Sequence, residues 1–239
     1  MTSLIAPRSG LRLLLTVAMF AVTAQAQSGA YWWPQLNTYV GLSANSQFEL
    51  VSNGSINPNV GNQQMVLGPS LSFFFSPFRT KRIKTLDRTR NYIIEFRTGY
   101  RYVATFGDRS SHTHRGLIEL TPRIPLPAKL VMADRNQLVL IGASSEVYWL
   151  YRNRVTLARS FEAHAFVFTP YIQAQVIYNS NVGAWNRYNC GFGSTFKVNS
   201  HLQLDAYYQH HGLIGMSGSP TNGIGLKVEL FFHNMGDSK

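Results

Sequence analysis

At 239 residues with 45% hydrophobic side chains, the chain is long enough for one sizeable domain and too apolar to be disordered or collagen-like. Charged residues make up only 14% and aromatic residues 13%, against roughly a quarter charged in soluble domains, so water is not expected to wet the whole surface. Mean hydropathy is -0.09, and past the first thirty residues no run of about eighteen apolar residues exists, which excludes a helical membrane protein.

In chain order, the first element is a targeting segment. Arg8 and Arg12 form a positive region, Leu13 to Val22 an apolar stretch too short to span, and Ala24-Gln25-Ala26 a small-x-small cleavage pattern. Residues 1–26 therefore read as a signal peptide cleaved before Gln27, and 27–239 as one mature domain. Cleavage removes two arginines and no acid, so the formal charge falls from +11 to +9. The single cysteine, Cys190, leaves no intramolecular disulfide to staple an exported fold. No basic helix or nucleic-acid motif accompanies the positive charge, and no nucleic-acid partner is expected.

The remainder of the chain is a series of stretches with a period of two, in which successive side chains point to opposite faces. A weak pair at 33–43 and 47–53 comes first. Over 64–76, Met65, Leu67, Leu71, Phe73 and Phe75 oppose Gln64, Ser70, Ser72 and Ser76. Over 91–106, Tyr92, Ile94, Phe96, Thr98, Tyr100, Tyr102, Ala104 and Phe106 oppose Glu95, Arg97, Gly99, Arg101 and Thr105. Stretches at 113–124, 129–142 and 147–158 come next. Over 165–178, Phe168, Ile172, Ala174 and Val176 oppose Thr169, Gln173 and Gln175. After 184–197, the stretch 201–210 sets Leu202, Leu204, Ala206 and Tyr208 against His201, Gln203, Asp205 and Gln209. The last, 222–232, sets Ile224, Leu226, Val228, Leu230 and Phe232 against Gly223, Gly225, Lys227 and Glu229, with Phe231 as the exception.

Stretches of this length suit tilted membrane strands of about 9–11 residues better than the 5–6 residues usual in soluble sheets. Aromatic residues near the stretch ends (Tyr31, Trp32, Trp33, Phe106, Tyr148, Trp149, Tyr178, Trp185) fit interfacial girdles. We expect an all-β fold: a closed antiparallel transmembrane β-barrel in a bacterial outer membrane, surrounded by outer-membrane lipid. Eleven stretches are counted, but bacterial single-chain barrels are even-numbered, so the expectation is ten to twelve strands with twelve favoured. Connections near 159–164 and 198–200 would share one end with the end of the last strand, and those near 54–63, 107–112, 179–183 and 211–221 the other.

Gly223, Gly225, Val228, Leu230 and Phe232 resemble the last-strand signal read by the barrel-assembly machinery, which makes that machinery a partner during biogenesis. His233 to Lys239 extend past the aromatic residue where such signals often stop. The runs Arg115-Gly116-Leu117-Ile118-Glu119-Leu120-Thr121-Pro122-Arg123, Pro125-Leu126-Pro127, Asp134-Arg135-Asn136, Tyr151-Arg152-Asn153-Arg154, Thr169-Pro170-Tyr171 and Gly183-Ala184-Trp185-Asn186-Arg187-Tyr188 resemble an uncharacterised family of exported outer-membrane β-barrels, a domain of unknown function. The resemblance spans roughly residues 90–232. It implies a barrel and supplies no catalytic residues.

The inward parity carries Glu95, Arg97, Arg101, Arg115, Glu119, Arg123, Arg152, Arg154, Arg187, Asp205, Lys227 and Glu229 as lumen-lining candidates. Two readings of these charges stay open. One is an arginine–carboxylate network that fills and rigidifies a closed lumen. The other is a narrow pathway whose uncompensated arginines favour small anionic solutes. A rival class is an outer-leaflet lipid-modifying enzyme using loop residues: His112 and His114 with Ser110, Ser111 and Asp108, or His210 and His211 with Ser217. His112, His114 and His210 are the catalytic candidates to test. Paired histidines without a Cys or carboxylate cluster are a weak metal signal, and neither metal nor cofactor is expected.

Overall fold

The computed structural model describes residues 31–56, 63–76, 92–107, 110–143, 146–163, 166–215 and 218–232. The signal segment, the cleavage site before Gln27, Asp108, Ser217 and the tail His233 to Lys239 lie outside the described residues. In chain order the strands are β1 (Tyr31–Ser43), β2 (Ser46–Ile56), β3 (Gln63–Phe75), β4 (Ile94–Phe106), β5 (Ser111–Pro125), β6 (Leu130–Gly142), β7 (Val147–Arg159), β8 (Phe161–Ala163), β9 (Phe166–Asn179), β10 (Ala184–Lys197), β11 (Leu202–Leu213) and β12 (Thr221–Phe232). Neighbours in sequence pair antiparallel from β1 to β7, then β7 with β9 and onward to β12, and β12 closes on β1.

Among the described residues the closed barrel therefore has eleven strands, not the even number expected, and its wall is not antiparallel throughout. The closing pair β1–β12 runs parallel, from Tyr31 opposite Gly223 to Val40 opposite Phe232. The cause is arithmetic: when strands alternate direction, the first and the eleventh point the same way, and an odd barrel must carry one parallel seam. The three-residue β8 adds no wall. Ala158 stands opposite Tyr171 and Phe161 opposite Phe168, so β8 prolongs β7 in the same register past Ser160, whose hydroxyl lies 2.9 Å from that of Thr169.

An odd count also puts the start of β1 and the end of β12 at opposite ends of the wall. The upper end holds the starts of β1, β3, β5, β7, β10 and β12 and the ends of β2, β4, β6, β9 and β11. The lower end holds the ends of β1, β3, β5, β10 and β12 and the starts of β2, β4, β6, β9 and β11, with the described connections at 44–45, 126–129 and 198–201.

The packing inverts that of a soluble protein. Leu36, Leu71, Ile118, Leu140, Ile172 and Phe192 lie exposed on the outer face, while Asn37, Glu49, Ser72, Glu95, Glu119, Asp205 and Glu229 are buried inside. Along each strand the period of two delivers apolar groups outward and polar groups inward. The interior's apolar cluster is small: Leu117, Val139 and Ile141, backed by Tyr148 and Leu150 on β5 to β7. At the lower end, ring stacks narrow the lumen. Tyr39 lies on Phe231 at 4.8 Å and Phe74 on Tyr92 at 4.9 Å, and the Tyr92 hydroxyl donates to the Ala44 carbonyl. Phe231, the exception to the pattern of β12, is thus an inward aromatic that helps fill this end.

Candidate functional site

The lumen holds a cavity of about 530 Å³, lined by eight cationic side chains (Arg97, Arg101, Arg115, Arg123, Arg135, Arg152, Arg154, Lys227) and five carboxylates (Glu49, Glu95, Glu119, Asp205, Glu229). These charges are not evenly mixed. Every ion pair among the described residues uses only some of the cations.

On β2 to β6 the carboxylates are wrapped by arginine. Glu95 accepts from Arg97 Nη2 at 2.7 Å through one oxygen and from Arg123 Nη2 at 2.5 Å through the other. Arg97 reaches Glu49 at 3.1 Å, and Glu119 takes Arg135 at 2.5 Å and the Gln137 amide at 2.8 Å. Across the barrel, Lys227 bridges Asp205 at 3.1 Å and Glu229 at 2.9 Å. Tyr171 donates to Asp205 at 3.0 Å, Tyr39 donates to Glu229 at 3.2 Å, and the Gln203 amide donates to the other Glu229 oxygen. Cross-strand register accounts for much of this. Arg97 stands opposite Glu119 on β5, Gln137 opposite Glu119 on β6, and Asp205 opposite Lys227 on β12. Burying a charge costs least when it is paired, and each of these carboxylates has a cationic partner.

Arg101 has a different role. Its Nη1 donates to the carbonyls of Gly68 at 3.1 Å and Pro69 at 2.9 Å, where Pro69 has no N–H to give the ladder, and its Nη2 lies 3.7 Å from Glu49. It therefore repairs an interrupted strand pair.

Arg115, Arg152 and Arg154 have no carboxylate partner among the described residues. Arg115 Nε donates to the Thr113 hydroxyl at 3.4 Å, Arg152 Nη1 to the Gln137 side-chain oxygen at 3.4 Å, and Arg154 Nε to the Gln175 oxygen at 2.7 Å. Arg152 Nε is closed off from solvent and makes no hydrogen bond. Arg154 stands directly opposite Arg135, and Arg115 opposite Arg101, so like charges face each other across strand pairs.

Eleven of the twelve charges assigned to the lumen from the sequence line this cavity. Arg187 does not; it stands opposite inward Ile177 but is exposed near the upper end of β10, just past a break in the β9–β10 register between Trp185 and Arg187. Sequence parity misses Glu49 and Arg135. Glu49 sits in the weakly patterned N-terminal pair, and the 129–142 stretch is not separated into faces by sequence alone, although Val131, Ala133, Arg135, Gln137 and Val139 share one.

The structure corrects the loop placement of the histidines. His112 and His114 do not sit in a loop but on the outward face of β5, and His210 lies in β11, outward as well. Their partners are aromatic and amide groups. His114 Nδ1 lies 2.5 Å from the Tyr100 hydroxyl, His112 stacks against Tyr102 at 6.2 Å, and His210 Nδ1 lies 2.8 Å from the Asn222 oxygen. No serine or threonine hydroxyl and no carboxylate joins them in these contacts. Among the described residues no three His, Cys, Asp or Glu side chains gather as metal ligands.

A second polar feature lies on the outer wall of β6 and β7, unforeseen by the sequence reading. Asn153 donates to Asp134 at 2.7 Å and to Asn136 at 3.1 Å, and the Tyr151 hydroxyl donates to Asn136 at 2.6 Å. Its signal is present in the sequence: Asp134 and Asn136 share the parity of Leu138 and Leu140.

Gly223 and Gly225 on β12 make room for rings. A Cβ at Gly223 would meet the Trp33 ring at 2.2 Å, and one at Gly225 the Tyr207 ring at 2.1 Å.

No protein-family model matches the chain, and neither does any curated protein. The family resemblance thus rests on its quoted motifs alone. Among solved structures, the chain is similar to the β domain of the Bordetella autotransporter Brka, with a TM-score of 0.50 and 12% identity over 77% of this chain and 82% of that one. At such identity the likeness is one of fold: the chain is a closed all-β barrel of the kind that this autotransporter domain also forms.

Proposed function

We propose that the chain is an exported protein that spans the bacterial outer membrane and holds a narrow, anion-favouring lumen. The observation that carries the reading is the division of the wall into two chemistries. An apolar outer face with exposed Leu, Ile, Val and Phe surrounds an interior where eight cations meet five carboxylates. An exposed apolar surface this continuous needs a lipid environment, and an interior with surplus guanidinium favours anions over cations. Tyr102, His112, His114, Trp149, Tyr178, Trp185 and Tyr188 gather toward the upper end, where amphipathic rings suit a membrane–water interface. The Gly223-to-Phe232 strand is the segment the assembly machinery would read, and residues 1–26 the signal that precedes export.

A path for small anions is the functional reading these charges support best. His112, His114 and His210 face outward and partner tyrosine and asparagine, an arrangement that does not favour the loop-enzyme reading.

The test is ion selectivity of the refolded barrel in a planar bilayer under a salt gradient. We expect small conductance steps with a reversal potential on the anion side, shifted toward zero by Arg152→Gln. Cation selectivity, or an inserted barrel with no conductance, would overturn the pathway and leave a packed, structural lumen.

A further inference from the structure

We infer that Arg115, Arg152 and Arg154 form a binding site for a phosphate-type oxyanion, either free phosphate or a small phosphomonoester. The inference deepens the anion-favouring reading of the lumen by giving it a fixed station and a ligand class.

Three observations converge. First, the charges segregate. Arg97, Arg123, Arg135 and Lys227 are held by carboxylates at 3.1 Å or less, whereas these three arginines contact only the neutral oxygens of Thr113, Gln137 and Gln175. Second, Arg152 Nε is an orphan: enclosed, a strong donor, and without an acceptor. A buried donor left unpaired costs about 1–3 kcal/mol, more when charged, so an acceptor brought to Arg152 Nε recovers that cost. Third, the cationic field at Arg152 is additive. Arg115, Arg135, Arg154 and Arg187 all act on it electrostatically, and of these only Arg135 carries a carboxylate partner among the described residues.

Arg115, Arg152 and Arg154 line the same cavity, and each guanidinium presents a planar fork of N–H donors. A tetrahedral dianion accepts such forks through several oxygens at once, and chloride, a single spherical acceptor, does not. The amides of Gln137 and Gln175 flank the same groups and are both in contact with them already, so they can hold the guanidinium planes in place. A cavity of about 530 Å³ is large enough to admit phosphate or a short phosphomonoester.

The experiment is isothermal titration of the refolded full barrel, in a micelle free of phospholipid, with inorganic phosphate and in parallel with glycerol 3-phosphate. Sodium chloride is the reference. We expect saturable binding near one equivalent, weakened at least tenfold by Arg152→Gln and by Arg154→Gln. Arg152→Lys, which keeps the charge and loses the fork, should also weaken it. Arg159→Gln, on the outer wall, removes the same charge and should leave affinity within twofold. If inorganic phosphate alone binds, the ligand is free phosphate; if glycerol 3-phosphate binds more tightly, it is the monoester. Heat-modified migration on gels verifies that each variant is folded. Binding no stronger than that of chloride, or equal affinity in Arg152→Gln and wild type, would overturn the site. Because no transport is measured, a barrel that binds phosphate but conducts nothing keeps this inference and sinks the pathway. A barrel that conducts anions without arginine-dependent phosphate binding does the reverse.

Discussion

Replacing Glu95 with alanine is expected to destabilise the barrel by about 3–5 kcal/mol, the loss usual when one member of a buried ion pair is removed and its partner stays behind. Both Glu95 oxygens are in use, one by Arg97 and Ser72 at 2.7 and 3.1 Å, the other by Arg123 at 2.5 Å. Arg97 would retain Glu49 at 3.1 Å. Arg123 would retain no carboxylate among the described residues, and its Nη1 already lacks a partner. The cost is therefore concentrated on one stranded, nearly buried guanidinium. Urea unfolding of the vesicle-inserted protein measures it. The double variant Glu95→Leu, Arg123→Leu should recover most of the loss, because both charges leave together. A single-variant loss under about 1 kcal/mol would mean that water solvates Arg123, and with it that the lumen is wetter than its hydrogen bonds imply.

The second large effect is expected at Gly68. An added Cβ would stand 2.0 Å from the Tyr100 carbonyl oxygen and 2.9 Å from Arg101 Cα. Both obstacles are backbone, so no side chain can rotate to make room. The register between β3 and β4 is already open there, between Leu67 opposite Tyr102 and Ser70 opposite Gly99, and Arg101 bridges the gap to the Gly68 and Pro69 carbonyls. Gly68→Ala must push the strands apart where one side chain replaces the ladder. We expect the variant to fail to reach the heat-modifiable folded form on refolding. Gly116→Ala is the matched control: a Cβ there meets nothing within 4 Å, and it should refold like wild type. Equal refolding yields for the two variants would contradict the close β3–β4 approach.

The fold is legible in the sequence because its signal is local. Alternation at β3, β4, β11 and β12 is a property of neighbouring residues, and all eleven stretches counted from the sequence correspond to wall strands. Closure is not local. Nothing in any strand's pattern reveals that β1 meets β12 in parallel, and the even-number rule points the wrong way. Inward charges are legible for the same reason as the strands, but their partition is not: whether Arg152 or Arg97 finds a carboxylate depends on register between strands, which parity does not encode. His112 and His114 are misplaced by sequence because a Ser-Ser-His-Thr-His run is loop-like in composition, yet it continues the period of Gly116 and Ile118 on the outer face of β5. Arg187 keeps the inward parity, standing opposite Ile177, but lies near the upper end of β10, exposed and outside the cavity lining, which parity cannot encode.

The claim on which the rest depends is that the apolar outer wall lies in lipid, and the chain carries its own probe. Cys190, its only cysteine, is exposed midway along β10, between the outward rings of Tyr188 and Phe192. The measurement is the collision rate of a nitroxide attached to Cys190 in vesicle-reconstituted protein, with dissolved oxygen and with a polar nickel chelate. The result expected is frequent collision with oxygen and almost none with the chelate, as for a group held in hydrocarbon. Frequent collision with the chelate would place this wall in water and contradict a membrane-spanning barrel.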